Sequence, residues 1–226
     1  MNKDNKFSQS PPLPDVMPID RKKWKNELNL SNFINTAYQY TDLQRCGDSI
    51  HSVLVIGPGQ GLDCVVFKWR GYDVTTFDID EIFRPDHLGS VHDLSRFKDK
   101  QFDAVIVSHV LEHLPVTYLD MSLKEISRVS KYAFIYLPVA GKHFQFRLIP
   151  VIWKIDICWF LDIFNWFEKP KGIVSCYREG QHFWEVGMRG FRVKDLLKRM
   201  DHFFEVVTVY RNRDWHYSQN FVLRSR

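Results

Sequence analysis

The stretch Val53-Leu54-Val55-Ile56-Gly57-Pro58-Gly59-Gln60-Gly61 carries a short β-branched apolar run straight into three glycines. A run of this length (Ser52–Ile56), bounded by glycine, reads as a strand covered on both faces, as in a parallel sheet. Leu62–Arg70 follows with helical character, and Gly71 stops it. The turn between strand and helix leaves the backbone bare and open to φ > 0. The helix start turns unpaired N–H groups and the positive end of its dipole toward a carboxylate or phosphate.

Working outward, Asp73–Phe77 reads as the second strand, and Asp78 lies at its end, 21 residues after Gly57. An acid there accepts hydrogen bonds from ribose hydroxyls. Asp80, two residues beyond the strand, is a weaker candidate for the same role. Glycine turn plus acid in one βαβ unit points to a ligand that contains adenosine. Further apolar runs predict strands at Val91–Leu94, Phe102–Val107 and Tyr132–Leu137, with a helix over Tyr118–Val129. The tail changes character: a helix at Val193–Met200, then two strands, Phe204–Tyr210 and Asn220–Leu223, joined as a hairpin. The expected class is therefore α/β, with a mostly parallel sheet that finishes in an antiparallel strand.

Composition sets limits on this reading. The chain has 226 residues, 45% hydrophobic and 26% charged, which suits one globular domain. Its net charge of +4 is too weak to imply nucleic acid. Cys46, Cys64, Cys158 and Cys176 show no C-x-x-C spacing, so neither a disulfide framework nor a zinc ribbon is expected. The polar Met1–Ser10 segment has no apolar core of a signal peptide, and a cytoplasmic location is expected. Pro11, Pro12, Pro14 and Pro18 make 1–20 an extended arm, and 21–47 reads as one or two helices leading into the domain.

Three stretches together resemble class I S-adenosylmethionine-dependent methyltransferases, in particular the small-molecule, ubiquinone-biosynthesis-like subfamily. They are VLVIGPGQG (53–61), VTTFDID (74–80) and FDAVIVSHVLEHLP (102–115). G-x-G-x-G is the methyltransferase pattern; dinucleotide binders want a glycine where Leu62 stands. The resemblance covers about 45–140, and 190–226 by pattern only; it implies a Rossmann-like three-layer sandwich with a seven-stranded sheet, in a domain expected to span 21–226. It implies S-adenosylmethionine as cofactor, with Gly57, Pro58, Gly59 and Gly61 along the methionine end. Asp78 would hold the ribose and Ile79 would pack on the adenine. Asp93 and Leu94 would sit at the adenine edge, and Ser108 and His109 beside the methyl group. The sequence departs from the family at Val55, where many members carry an acid that meets the methionine ammonium.

His109-Val110-Leu111-Glu112-His113 also fits H-x-x-E-H, a zinc-peptidase pattern. That site needs both histidines on one helix face, whereas His109 falls at a strand exit, so no metal is expected. His109, and less directly His113, are candidate general bases, since a near-neutral imidazole suits a hydroxyl acceptor. After the fifth strand comes an aromatic insertion at about 142–190. Its segment 144–167 is rich in Trp, Phe and Ile but is interrupted by Arg147, Lys154, Asp156 and Asp162. It is a poor membrane span, and three readings stay open: a lid, a homodimer or partner surface, and an interfacial helix touching lipid. His182 and Glu185 are candidates for contact with a substrate. The expected activity is methyl transfer, at oxygen, to a small-molecule, saccharide or lipid-linked acceptor. The rivals are an NAD(P)-dependent reductase and a cofactor-binding scaffold without activity.

Overall fold

In the computed structural model, residues 28–47, 49–148, 157–163 and 182–226 are described. The proline-rich arm, residues 21–27 and much of the aromatic insertion lie outside them. Among the described residues the elements run α1 (Leu30–Arg45), β1 (Ser52–Ile56), α2 (Leu62–Trp69), β2 (Asp73–Asp78), β3 (His87–Leu88), β4 (Phe102–Ser108), α3 (Leu119–Val129), β5 (Ser130–Pro138), β6 (Lys142–Leu148), β7 (Ile157–Ile163), α4 (Val193–Met200), β8 (Phe204–Arg211) and β9 (Ser218–Ser225). Seven strands form one sheet in the order β3-β2-β1-β4-β5-β9-β8. β1 to β5 pair in parallel, and β9 enters antiparallel between β5 and β8. The strand order reverses direction at β1 and β4, so their carboxyl ends open a crevice of the kind where α/β sheets hold ligands.

Strand alternation builds the three layers. Leu54 and Ile56 of β1, Val105 and Val107 of β4, and Ile135 and Leu137 of β5 share a buried cluster with Leu123 and Ile126 of α3 and Leu196 of α4. Their neighbours Val53, Val55, Ala104, Ile106, Phe134 and Tyr136 point the other way, toward Leu43 of α1 and Phe67 of α2. Both faces are thus apolar and both are covered, which is what the uninterrupted apolar runs require.

Two expectations are corrected. Val91–Leu94 is a turn, not the third strand: Leu94 is fully buried and its amide donates to Glu125 at 2.9 Å, so its apolar character serves packing. The third strand is the two-residue β3, too short to leave a periodic signal. Nor are the described parts of 144–167 helical. β6 and β7 form a separate antiparallel hairpin. On one face Phe144, Phe146 and Leu148 stand opposite Leu161, Trp159 and Ile157, and all six are exposed. On the other face Arg147 pairs with Asp214 at 2.6 Å and Phe160 lies under the guanidinium of Arg211. These contacts lean the hairpin on the β8–β9 turn. No described helix is long and apolar enough to cross a membrane.

Candidate active site

The turn after β1 has the conformation its glycines suggest. Gly57, Gly59 and Gly61 sit at φ 71°, 50° and 73°, and the Gly57 amide donates to the Phe77 carbonyl at 2.9 Å. At Gly57 a Cβ would lie 2.3 Å from Cγ2 of Val110, so the turn is closed against the strand-four loop. At Gly59 and Gly61 a Cβ would meet nothing within 4 Å and would project into open space. That space is a cavity of about 720 Å³ at the carboxyl edge of the sheet, within the usual range for a small-molecule site.

Gly57, Pro58, Gly59, Gly61, Ser108, His109, His113, His182 and Glu185 all line this cavity. Five other sequence-predicted residues, Asp78, Ile79, Asp80, Asp93 and Leu94, lie away from its lining. Asp78 ends β2 and holds the Asp80 amide at 2.9 Å. Ile79 is exposed beside it, Asp93 is half-buried and caps Ser95, and the side chain of Leu94 is closed into the core.

Sequence reasoning missed one wall. Asn29, Asn32, Asn35, Thr36 and Gln39, from the start and body of α1, line the cavity. Their spacing of three to four residues is a polar stripe on one helix face, a signal that periodicity could have supplied. Asn35 donates to the Ser108 hydroxyl at 2.7 Å and so ties α1 to the end of β4. The Oδ1 of Asn35 and the Oε1 of Gln39 are buried and accept no hydrogen bond. Asp63, in the first turn of α2, completes this wall. Burial pushes its carboxyl up to about 6, only partly offset by the Cys64 amide.

The opposite wall gathers the titratable groups. His109 leaves β4 in the left-handed region at φ 55°, held by its amide bond to the Tyr136 carbonyl at 2.9 Å, with its ring against Trp215. Burial, and then the neighbouring His182 and His113, push its imidazole down to about 3. Leu111–His113 forms a single tight turn whose Glu112 is fully buried. Phe183 donates its amide to the Glu112 carbonyl, and the Trp184 indole donates to the Leu114 carbonyl. Val186 bridges to Val139 at the end of β5. These bonds clip 182–186 onto the sheet edge and bring His182 beside Glu112. Burial pushes the Glu112 carboxyl up to about 7, against the pull of His182. The two histidines of H-x-x-E-H do not share a helix face; the groups brought together are Glu112, His113 and His182.

Residues 54–133 match the family model described as a methyltransferase domain. No curated protein matches the chain. Among solved structures, a protein from Pyrococcus horikoshii OT3 is similar at 16% identity, over 89% of this chain and 93% of that one, with a TM-score of 0.56. A SAM-dependent methyltransferase from Archaeoglobus fulgidus is similar at 17% identity, over 91% and 97%, with a TM-score of 0.55. A glycopeptide N-methyltransferase, MtfA, solved with S-adenosylmethionine, is similar at 11% identity over 84% and 94%, with a TM-score of 0.54. At these identities the likeness is one of fold.

Proposed function

We propose that this chain, whose residues 54–133 form a methyltransferase domain on a class I, Rossmann-like fold, transfers the methyl group of S-adenosylmethionine to an oxygen of a small-molecule, saccharide or lipid-linked acceptor. The observation that carries the reading is one cavity lined on one side by the bare glycine turn and on the other by His109, His113 and His182. When bound, the cofactor supplies an electrophilic methyl group on a sulfonium.

The residues present fit that cofactor. The open space over Gly59 and Gly61 admits its amino-acid end against the backbone. Its ammonium needs acceptors, and Val55, where the family resemblance implies an acid, is an apolar core residue. The unsatisfied carbonyl oxygens of Asn35 and Gln39 and the Asp63 carboxylate supply them from the α1 wall instead. Asp78, at the end of β2 beyond the cavity lining, is assigned the ribose hydroxyls on the strength of the family resemblance. The His113–His182 side holds the acceptor, and Trp215 and Tyr217 offer aromatic surface to a ring or sugar. A nicotinamide reductase is disfavoured by Leu62 in the third glycine slot.

Isothermal titration with S-adenosylmethionine tests the reading. Wild type is expected to bind, and Asp78→Ala to bind at least about tenfold more weakly, the loss of two charge-assisted hydrogen bonds. No heat from wild type, or equal affinity in Asp78→Ala, overturns it. A panel of hydroxyl and amine acceptors with labelled methyl donor then separates oxygen from nitrogen transfer, and an enzyme from a scaffold.

A further inference from the structure

Glu112 is in an electrostatic position that the protein alone leaves unresolved. Its side chain is fully buried, and neither carboxylate oxygen has a hydrogen-bond partner. Its Oε1 instead faces three ring nitrogens, at 3.6 Å from His109 Nδ1, 4.0 Å from His113 Nε2 and 3.9 Å from His182 Nε2. A buried carboxylate without donors costs several kcal/mol, by order of magnitude.

The tautomer of His182 sharpens the point. Its Nδ1 lies 2.7 Å from Oε1 of Glu185, itself a buried carboxylate. That bond places a proton on Nδ1, so once the ring is neutral Nε2, 3.9 Å from Glu112 Oε1, is the nitrogen that can ligate. In that state Nε2 and the Glu112 carboxylate lie close together with His113 alongside, its ring 4.8 Å from that of His182. Such an array attracts a cation.

We propose that Glu112, His113 and His182 form a binding site for a divalent transition-metal ion, with Glu185 orienting His182 from behind. One ligand atom from each of the three lies within 4.8 Å of the others. Ligands on one ion at about 2.1 Å stand roughly 3 to 4 Å from one another, so a small contraction completes the set. Carboxylate, histidine and metal in line is the usual way a protein fixes a ligating ring and its tautomer. Two imidazoles and one carboxylate select zinc, manganese or cobalt over magnesium and calcium, which prefer oxygen. Because His113 and His182 line the cavity, the remaining coordination positions face the space assigned to the acceptor. Binding of the ion stands independently of the methyl-transfer reading; its use, to hold an acceptor oxygen as its less protonated form, rests on that reading.

The test uses Co²⁺, whose visible d–d bands report coordination, added to chelator-treated full-length chain. A saturable titration with a single equivalent bound and bands displaced by Zn²⁺ is expected. Glu112→Gln and His182→Ala are expected to weaken Co²⁺ binding by about 100-fold or abolish it, and Glu185→Gln to weaken it by about tenfold. His202→Ala, an exposed histidine elsewhere, leaves it unchanged. Absence of Co²⁺ bands in wild type, or unchanged affinity in both Glu112→Gln and His182→Ala, overturns the proposal. Titration of S-adenosylmethionine into the metal-free chain keeps the two readings apart. Cofactor heat without Co²⁺ bands removes only the metal site, and Co²⁺ bands without cofactor heat remove only the methyl donor.

Discussion

The carboxylate of Asp42, near the end of α1, accepts a hydrogen bond from the hydroxyl of Tyr136 in β5 at 3.0 Å. Tyr210 of β8 donates to the same oxygen, so one buried acid pins the first helix to two strands of the sheet. α1 also forms the polar wall of the cavity. Asp42→Ala leaves two hydroxyls without an acceptor and is expected to cost about 3 kcal/mol in urea denaturation. Tyr136→Phe removes one bond and is expected to cost about 1 kcal/mol. The alanine variant is also expected to bind S-adenosylmethionine more weakly, as the helix loosens; unchanged affinity would detach α1 from the site.

Gly57→Ala introduces a Cβ that meets Val110 at 2.3 Å, at a backbone angle side chains avoid. The expected result is a loss of about 2 kcal/mol in stability and at least tenfold weaker cofactor binding. Adding Val110→Ala removes the collision but not the φ strain, so the double variant is expected to recover stability only in part. Full recovery would show that the left-handed turn is not required.

Asp63 gives a pH signature for the proposed ammonium subsite. Its carboxyl is raised to about 6, so it becomes neutral as the pH falls below that value. The ligand's ammonium stays protonated up to about pH 7.7. Cofactor affinity is therefore expected to rise as pH climbs through about 6, and Asp63→Asn to bind more weakly with that rise removed. The stability effect has the opposite sign. An acid whose folded value lies above its unfolded value destabilises the fold once ionised, so the ligand-free Asn variant should melt higher than wild type at pH 8. A wild-type affinity that is flat through pH 6 would remove Asp63 from the subsite.

Asp103 titrates in the other direction. It accepts from the His51 and Ser52 amides at 2.9 and 3.0 Å and from Lys131 at 2.7 Å, which together hold its carboxyl well below the usual range. Depressed acids stabilise the fold above their unfolded value, near pH 4, and lose that contribution as pH falls. Asp103→Asn is expected to flatten the acid limb of the urea midpoint between about pH 5 and 2, and a limb parallel to wild type would count against the assignment.

Much of the sheet was legible because β1, β4 and β5 are apolar on both faces, and a strand covered twice has no polar period to confuse it. Val91–Leu94 misled because burial alone made it apolar: the Leu94 amide donates to the Glu125 side chain and the Asp93 amide to the Ser90 carbonyl, not to a neighbouring strand. In β6 the alternation Phe144, Gln145, Phe146, Arg147, Leu148 has the period of a strand, but its apolar residues face outward, so aromatic content masked the pattern. In the site, the glycine turn was readable as local chemistry. His182 meeting Glu112 was not, since 70 residues of chain separate them and only bonds such as Phe183 to the Glu112 carbonyl bring them together.

His109 is not a glycine, yet it holds a φ of 55°. A β-carbon in that region costs on the order of 1 kcal/mol, and asparagine tolerates it better. Variant libraries sorted by heat resistance alone should therefore drift away from histidine at position 109, while libraries sorted by turnover should retain it. A split between those two selections at position 109 would show that the imidazole is kept there at a cost in folding.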